Sequence, residues 1–288
     1  MSLTISQLRS ETGAIAGLRD AIIAEGPETE TFLQGQLSQD IVSMAPGDSR
    51  FSLLLQPQGK VSAWLRVTRL DDERFLLDVD AGWADEVVTR LERFKLRTKC
   101  ELTPQAWTSL TVVGPDAMGT TIDGAEVEVH DLIAGVPVVV AFGEAPVAAV
   151  PEIQADAMNV LRIEDGRPAM GSELDENTIP AAAGIVETSV SFTKGCYTGQ
   201  ELVARIDSRG NNVPRRLVGL VFDGGSPVPG AELAKGDDGV GAVTSVGRSA
   251  ALDAEVALAY ATRAVEIGDS VTVDGATATV QSLPLVQS

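Results

Sequence analysis

The sequence predicts an α+β body followed by a small all-β barrel. Three observations carry that expectation. Strand-like runs in the first half are joined by connections too short for a crossover helix, so the sheets should be largely antiparallel. A charged, amphipathic helical stripe interrupts those runs. After residue 213, short strand-like runs separated by glycine turns follow one another with little helical periodicity, as a small barrel requires. The expected division is therefore a body over residues 1–213, built of two interleaved lobes, and a barrel over residues 214–288.

Each element rests on its own pattern. Phe51 to Gln56, Lys60 to Arg69 and Arg74 to Asp80 read as strands, and Pro57-Gln58-Gly59 and Asp71-Asp72 between them are turn chemistry. Ala84, Val87, Val88, Leu91 and Phe94 recur at helical spacing with charged residues between them, which predicts a helix from about Trp83 to Leu96. Ser109 to Val113, Glu126 to Ile133 and Val136 to Phe142 continue the strands. Gly210-Asn211-Asn212-Val213-Pro214 reads as a linker or long turn. Beyond it, strands are expected at Arg216 to Phe222, Val240 to Val246, Glu255 to Tyr260, Ser270 to Val273 and Ala276 to Leu283.

Composition narrows the function. Lys and Arg number 22 and Asp and Glu 41 in 288 residues, a net charge of −19. That balance argues against broad, sequence-independent nucleic-acid binding and against an anionic membrane surface. The start of the chain has no basic and apolar leader pattern, and no apolar run approaches the roughly 18 residues of a spanning helix. With Cys100 and Cys196 as the cysteines, no disulfide framework is expected, and a reduced, cytoplasmic setting fits them best. His130 lies in an alternating strand-like run and reads as an ordinary strand residue. No HExxH, CxxC, nucleophile elbow, P-loop or complete dinucleotide fingerprint is present, so neither a metal nor a nucleotide cofactor is expected.

The stretch richest in chemistry is Lys194-Gly195-Cys196-Tyr197-Thr198-Gly199-Gln200-Glu201. Thr198 and Glu201 have the spacing of a capping box, with a helix to follow. Cys196 would then stand just before a helix N-terminus, with Lys194 nearby; both favour the thiolate, the reactive form. The bland alternative is that Cys196 packs as a small hydrophobe, that Glu201 only caps, and that Tyr197 covers the core with its ring. Two basic islands, Arg90 to Lys99 and Lys194 to Leu217, stand out on the acidic chain and suggest a focused site for a small anion or a local RNA or protein contact.

Residues 194–201 resemble the signature of the YgfZ-type folate-binding proteins, relatives of the T-protein aminomethyltransferase of the glycine cleavage system. Other segments resemble the same family in order: Phe32 to Asp40, Leu55 to Lys60, Leu161 to Pro168, Glu173 to Pro180, and Gly241 to Ser245 with the run to Gly268. The resemblance implies a three-lobed, aminomethyltransferase-like fold around a cavity for tetrahydrofolate or a one-carbon derivative, ending in a small β-barrel. It puts Glu164 on the pterin, where a carboxylate can accept two parallel N–H bonds. It makes Cys196 a functional thiol, and offers Lys194, Tyr197 and Arg205 to the rest of the folate.

The resemblance also has a gap. The T-protein's catalytic Asp belongs on the strand at residues 58–67, and Gln58-Gly59-Lys60-Val61-Ser62-Ala63-Trp64-Leu65-Arg66-Val67 has no carboxylate. The expectation is therefore support of iron–sulfur cluster assembly or repair, and through it of cluster-dependent enzymes such as those that modify tRNA, rather than an active aminomethyltransferase. The implied partners are folate and iron–sulfur enzymes or assembly factors, with a weak tRNA contact in addition, and a monomer is expected. The alternative is a folate-dependent one-carbon (aminomethyl) transferase or demethylase that uses another acid–base group.

Overall fold

The computed structural model describes residues 2–210 and 212–287. The chain enters with β1 (Gly13–Ala16) and β2 (Arg19–Glu25), then α1 (Thr29–Gln36). A meander follows: β3 (Ser49–Leu55), β4 (Val61–Arg69) and β5 (Arg74–Asp80). After α2 (Ala84–Glu92) come β6 (Glu101–Pro104), β7 (Thr108–Val113), β8 (Ile122–Asp123), β9 (Val127–Ile133), β10 (Val136–Gly143) and β11 (Val147–Ala148). The helices α3 (Ala155–Asp165), α4 (Val186–Ser189) and α5 (Gln200–Asp207) lead to the last strands: β12 (Arg215–Phe222), β13 (Glu232–Lys235), β14 (Asp238–Ser249), β15 (Ala254–Thr262), β16 (Ser270–Val273) and β17 (Ala276–Gln281).

Three lobes result. One is a sheet in the order β3-β4-β5-β2-β6, the second a sheet in the order β1-β7-β10-β9, and the third a closed barrel, β12-β15-β14-β13-β16-β17. Every pairing within these sheets is antiparallel, as the short connections required. The first two lobes are interleaved, because β1 joins the second sheet before the chain builds the first. No helix among the described residues is long and apolar enough to cross a membrane.

The core follows the period-2 pattern of the strands. On the first sheet, Leu53, Leu55, Leu65, Val67, Phe75 and Leu77 are buried and pack with α1, α2 and the segment that carries the signature. Ile23 and Leu76 instead join Val138, Val140, Phe142 and Leu161, which fastens the first sheet to the second and to α3. The barrel has its own core, with Val218, Leu220, Phe222, Ala257 and Val280 inside it.

α3 is the keystone between lobes. Ala157, Met158, Val160, Leu161, Ile163 and Glu164 are all buried along it. It ends at Gly166 in the left-handed conformation (φ 74°), with Arg167 N donating to Arg162 O, which satisfies the carbonyls that a helix C-terminus leaves open. Val160 lies so close to Gly247 of β14 that a Cβ there would stand 2.7 Å from its Cγ2.

Two expectations need correction. The helix expected to run to Leu96 stops at Glu92, because Phe94 N turns back to Leu91 O and the Phe94 ring lies under the Arg90 guanidinium at 3.9 Å. The capping box is absent: the N-cap of α5 is Gly199 at φ 83°, with no side-chain cap bond. Thr198 instead gives its N–H to Gly35 O, and Glu201 is exposed.

Candidate functional site

The central feature is a cavity of about 290 Å³ between the first two lobes and α3. β3 and β4 supply Phe51 and Trp64, stacked at 4.7 Å with 23° between their planes. The second sheet supplies an apolar wall of Ile133, Val138 and Val140, and α3 adds Met158, Asn159 and Arg162. Arg19, Arg66, Asp80, Thr111, Asp131 and Arg167 make the polar part of the lining.

Those charges form a chain of alternating sign. Arg19 meets Asp80 at 2.6 Å and Asp78 at 2.7 Å. Arg66 holds Asp78 through Nε at 2.9 Å and approaches Asp131 at 3.6 Å. Arg167 holds Asp131 at 2.6 Å and Asp165 at 3.1 Å. Register explains the first links: Arg66 on β4 lies directly opposite Asp78 on β5. Burial pushes the Asp78 carboxyl up, but Arg66 and Arg19 outweigh it and hold it below the usual carboxylate range. Burial pulls Arg167 and Arg19 down, and their aspartate partners more than restore them. Arg66 and Arg167 also lie over the Phe51 ring, at 5.8 and 5.3 Å. The wall is therefore held in ion pairs and aromatic on one side.

The five residues singled out from the sequence lie elsewhere, and none lines this cavity. Glu164 is fully buried on the side of α3 that faces the barrel and the N-terminal segment. One of its oxygens accepts from Arg9 at 2.8 Å and the other from Ser249 at 2.6 Å. Lys194 turns inward: its ammonium donates to the carbonyls of Gln34, Leu37 and Gln39 at 2.6, 2.6 and 2.8 Å. Burial lowers its pKa to about 8, against the pull of Asp40. The Tyr197 ring is buried beneath that ammonium at 5.2 Å, and burial pushes its hydroxyl up to about 12. Arg205 is exposed on α5. Cys196 is exposed, whereas Cys100 is buried and its thiol is pushed up by that burial.

The signature is nonetheless organised with other segments of the resemblance. The loop around Lys194 is clamped on the end of α1, and Gly199 sits on the β3–β4 turn, where a Cβ would stand 2.6 Å from Gln56 O. The next segment reaches the same turn, since Gln56 Nε2 donates to Glu176 O and Val61 N to Thr178 O. The corner touches the cavity wall through Trp64, whose Nε1 donates to Ser189 Oγ of α4 at 2.8 Å while Ser38 Oγ donates to Ser189 O at 2.6 Å, and through Phe51, whose carbonyl accepts from Gln39 Nε2 at 3.4 Å.

The cavity arginines, Arg19, Arg66, Arg162 and Arg167, all fall outside the two basic islands. The sequence did carry a signal for one cavity charge, Arg66, and for its buried partner Asp78 behind the wall. Arg66 within Trp64-Leu65-Arg66-Val67, and Asp78 within Leu76-Leu77-Asp78-Val79, are charges inside apolar strands, where only a partner makes them tolerable.

Comparison with known proteins adds the family context. The GCVT N-terminal domain model matches residues 19–125, and the glycine cleavage T-protein C-terminal barrel domain model matches residues 215–287. An aminomethyltransferase of Streptomyces coelicolor is 25% identical over 307 residues, covering 90% of this chain and 82% of its own. A tRNA-modifying protein YgfZ of Pectobacterium carotovorum is 27% identical over 230 residues, covering 65% of this chain and 63% of its own. The fold is that of the glycine cleavage system aminomethyltransferase T of Bartonella henselae, with a TM-score of 0.82 at 23% identity over 98% of this chain and 88% of that one.

Proposed function

The chain belongs to the glycine cleavage T-protein family and is of the YgfZ type, and from that premise we propose that it is a tetrahydrofolate-binding accessory protein of iron–sulfur cluster assembly or repair. Through the clusters it would sustain dependent enzymes such as those that modify tRNA. The cavity is the observation that carries the folate part. Its 290 Å³ lies at the small end of the roughly 300–1,000 Å³ of small-molecule sites, which suits a bicyclic ring with its tail outside. Flat aromatic and branched aliphatic walls suit the ring faces, and the Asp131–Arg66–Arg167 cluster suits a polar ring edge. Asn159 and Arg162 also line an open cleft toward the barrel, a route for a tail that carries carboxylates.

Aminomethyl transfer lacks the carboxylate expected on β4, and the carboxylates that do line the cavity, Asp80 and Asp131, are ion-paired with Arg19, Arg66 and Arg167. The β4 residues that reach the cavity are Trp64 and Arg66. Asp78, the buried carboxylate next to them, is held well ionised with both oxygens engaged, whereas a general base works best near the operating pH. In this reading Glu164 acts from behind, by fixing α3. Lys194 and Tyr197 fix the signature loop, and Cys196 is the group offered to the client.

Calorimetric titration of the full chain with tetrahydrofolate tests the ligand; binding is expected, with Arg66→Ala weakening it about ten-fold or more, since a desolvated charged contact is lost. A chain that takes up no tetrahydrofolate would falsify the folate reading. In a strain lacking the protein, Cys196→Ser should fail to restore a cluster enzyme and a modified tRNA nucleoside while still binding folate; full rescue would remove the thiol from the function. Sustained formation of methylenetetrahydrofolate from an amine donor would instead make the protein a transferase.

A further inference from the structure

Thr111 sits on β7, opposite Ile15 of β1 and Val140 of β10, and is 3% exposed. Its side chain lines the cavity among Ile133, Val138 and Val140. Among the described residues, its Oγ1 is buried and has no hydrogen-bond partner. The other buried side-chain atoms in that condition, on Thr29, Gln36 and Arg90, lie away from the cavity. Ser109, two positions earlier on the same face of β7, shows what the fold normally does with such a hydroxyl: its Oγ accepts the N–H of Arg19 at 2.9 Å. The strand thus presents two hydroxyls on one face, and the fold uses one of them. A buried, unpaired hydroxyl is destabilising, and valine would fill the same volume without that penalty.

We propose that Thr111 Oγ1 is a hydrogen-bond anchor for the ring of the bound ligand, and so helps to set which ring the cavity accepts. The proposal rests on the folate reading, with a reduced pterin as the ligand. A hydroxyl both donates and accepts, so it matches a ring edge that carries a carbonyl oxygen beside N–H groups. The valines and Ile133 around it cover ring faces and offer no competing bond. Rings without a polar edge leave the hydroxyl unpaired and are selected against.

Three versions of the full chain decide it: wild type, Thr111→Val and Thr111→Ser. Each is titrated calorimetrically with tetrahydrofolate and melted without ligand. Thr111→Val is expected to melt at the wild-type temperature or above it, because it removes an unpaired buried hydroxyl, and to bind about three- to ten-fold more weakly, the worth of one hydrogen bond. Thr111→Ser keeps the hydroxyl and is expected to stay within about two-fold of wild type. Equal affinity in wild type and Thr111→Val overturns the proposal and leaves the folate reading standing. Equal losses in Thr111→Val and Thr111→Ser overturn it too, since packing would then explain both. Failure of wild type to bind overturns the folate reading and this proposal together.

Discussion

Asp78 shows how much one residue can commit. It is fully buried, and Arg19 and Arg66 take both of its oxygens. Removing one partner of such a cluster leaves uncompensated charge in the interior, which typically costs about 3–5 kcal/mol. Asp78→Asn is therefore expected to lower the stability measured by urea unfolding by about that amount. The pH dependence follows from the same pairing. The folded carboxyl titrates below the roughly 3.9 of an unfolded chain, so its stabilisation is complete above that value and drains as pH falls through the folded one. Wild type should lose stability steeply below about pH 4, and Asp78→Asn should show a shallower acid limb. The charges at Arg66 and Asp78 were legible in the sequence as anomalies in apolar strands. Their opposition was not, because it depends on the β4–β5 register.

At the scale of elements, α5 separates a steric requirement from a chemical one. Gly199 has φ 83° and its absent Cβ leaves room for Gln56 O, so Gly199→Ala meets both backbone strain and a clash. A loss of about 2–3 kcal/mol in thermal unfolding is expected. Thr198→Ala should cost less than about 0.5 kcal/mol, because its hydroxyl makes no cap bond; a larger loss would restore the capping box. The spacing of Thr198 and Glu201 is right for that motif, but the glycine between them takes the N-cap first. Strands with turn chemistry at both ends were legible nearly to the residue, as with Arg74–Asp80 and Ser270–Val273. β13 was not, since Glu232-Leu233-Ala234-Lys235 lacks the β-branched alternation that marks the equally short Ser270–Val273. Nor was α3, whose polar stripe of Asp156, Asn159, Arg162 and Asp165 is narrow, with six of its eleven residues buried.

On the scale of the whole molecule, Glu164 joins three parts of the chain. Its carboxylate holds Arg9 and Ser249, and its backbone carbonyl accepts from Leu285 N at 2.8 Å. Glu164→Ala is expected to lose about 2–3 kcal/mol, less than for a fully buried pair because Arg9 is partly exposed. Amide exchange should quicken first around Ser249 at the end of β14 and around Arg9, the two partners of the lost carboxylate; uniform protection there would show that the lobes hold without it. The three-lobed plan and the barrel were legible because signature segments run in order along the chain. The arrangement of the cavity's charges was not, since Arg19 and Arg66 meet through strand register on the first sheet and Asp131 and Arg167 join them only when the second sheet and α3 pack against it. The net charge of −19 describes the surface and says little of this interior.

The bond from Leu285 to Glu164 also bears on the order of assembly. α3, which forms one wall of the cavity, is synthesised long before the residues that close over its C-terminal turn, where Gly166 lies against Leu283. Contacts of such long sequence separation form late and slowly, because chain entropy must be lost before they return any energy. The two sheets can collapse while the barrel is still emerging from the ribosome, but the helix between them stays uncovered on one side until the barrel and the segment after it arrive. Competence to bind a ligand should therefore mature after the bulk of the secondary structure, as a late step of folding.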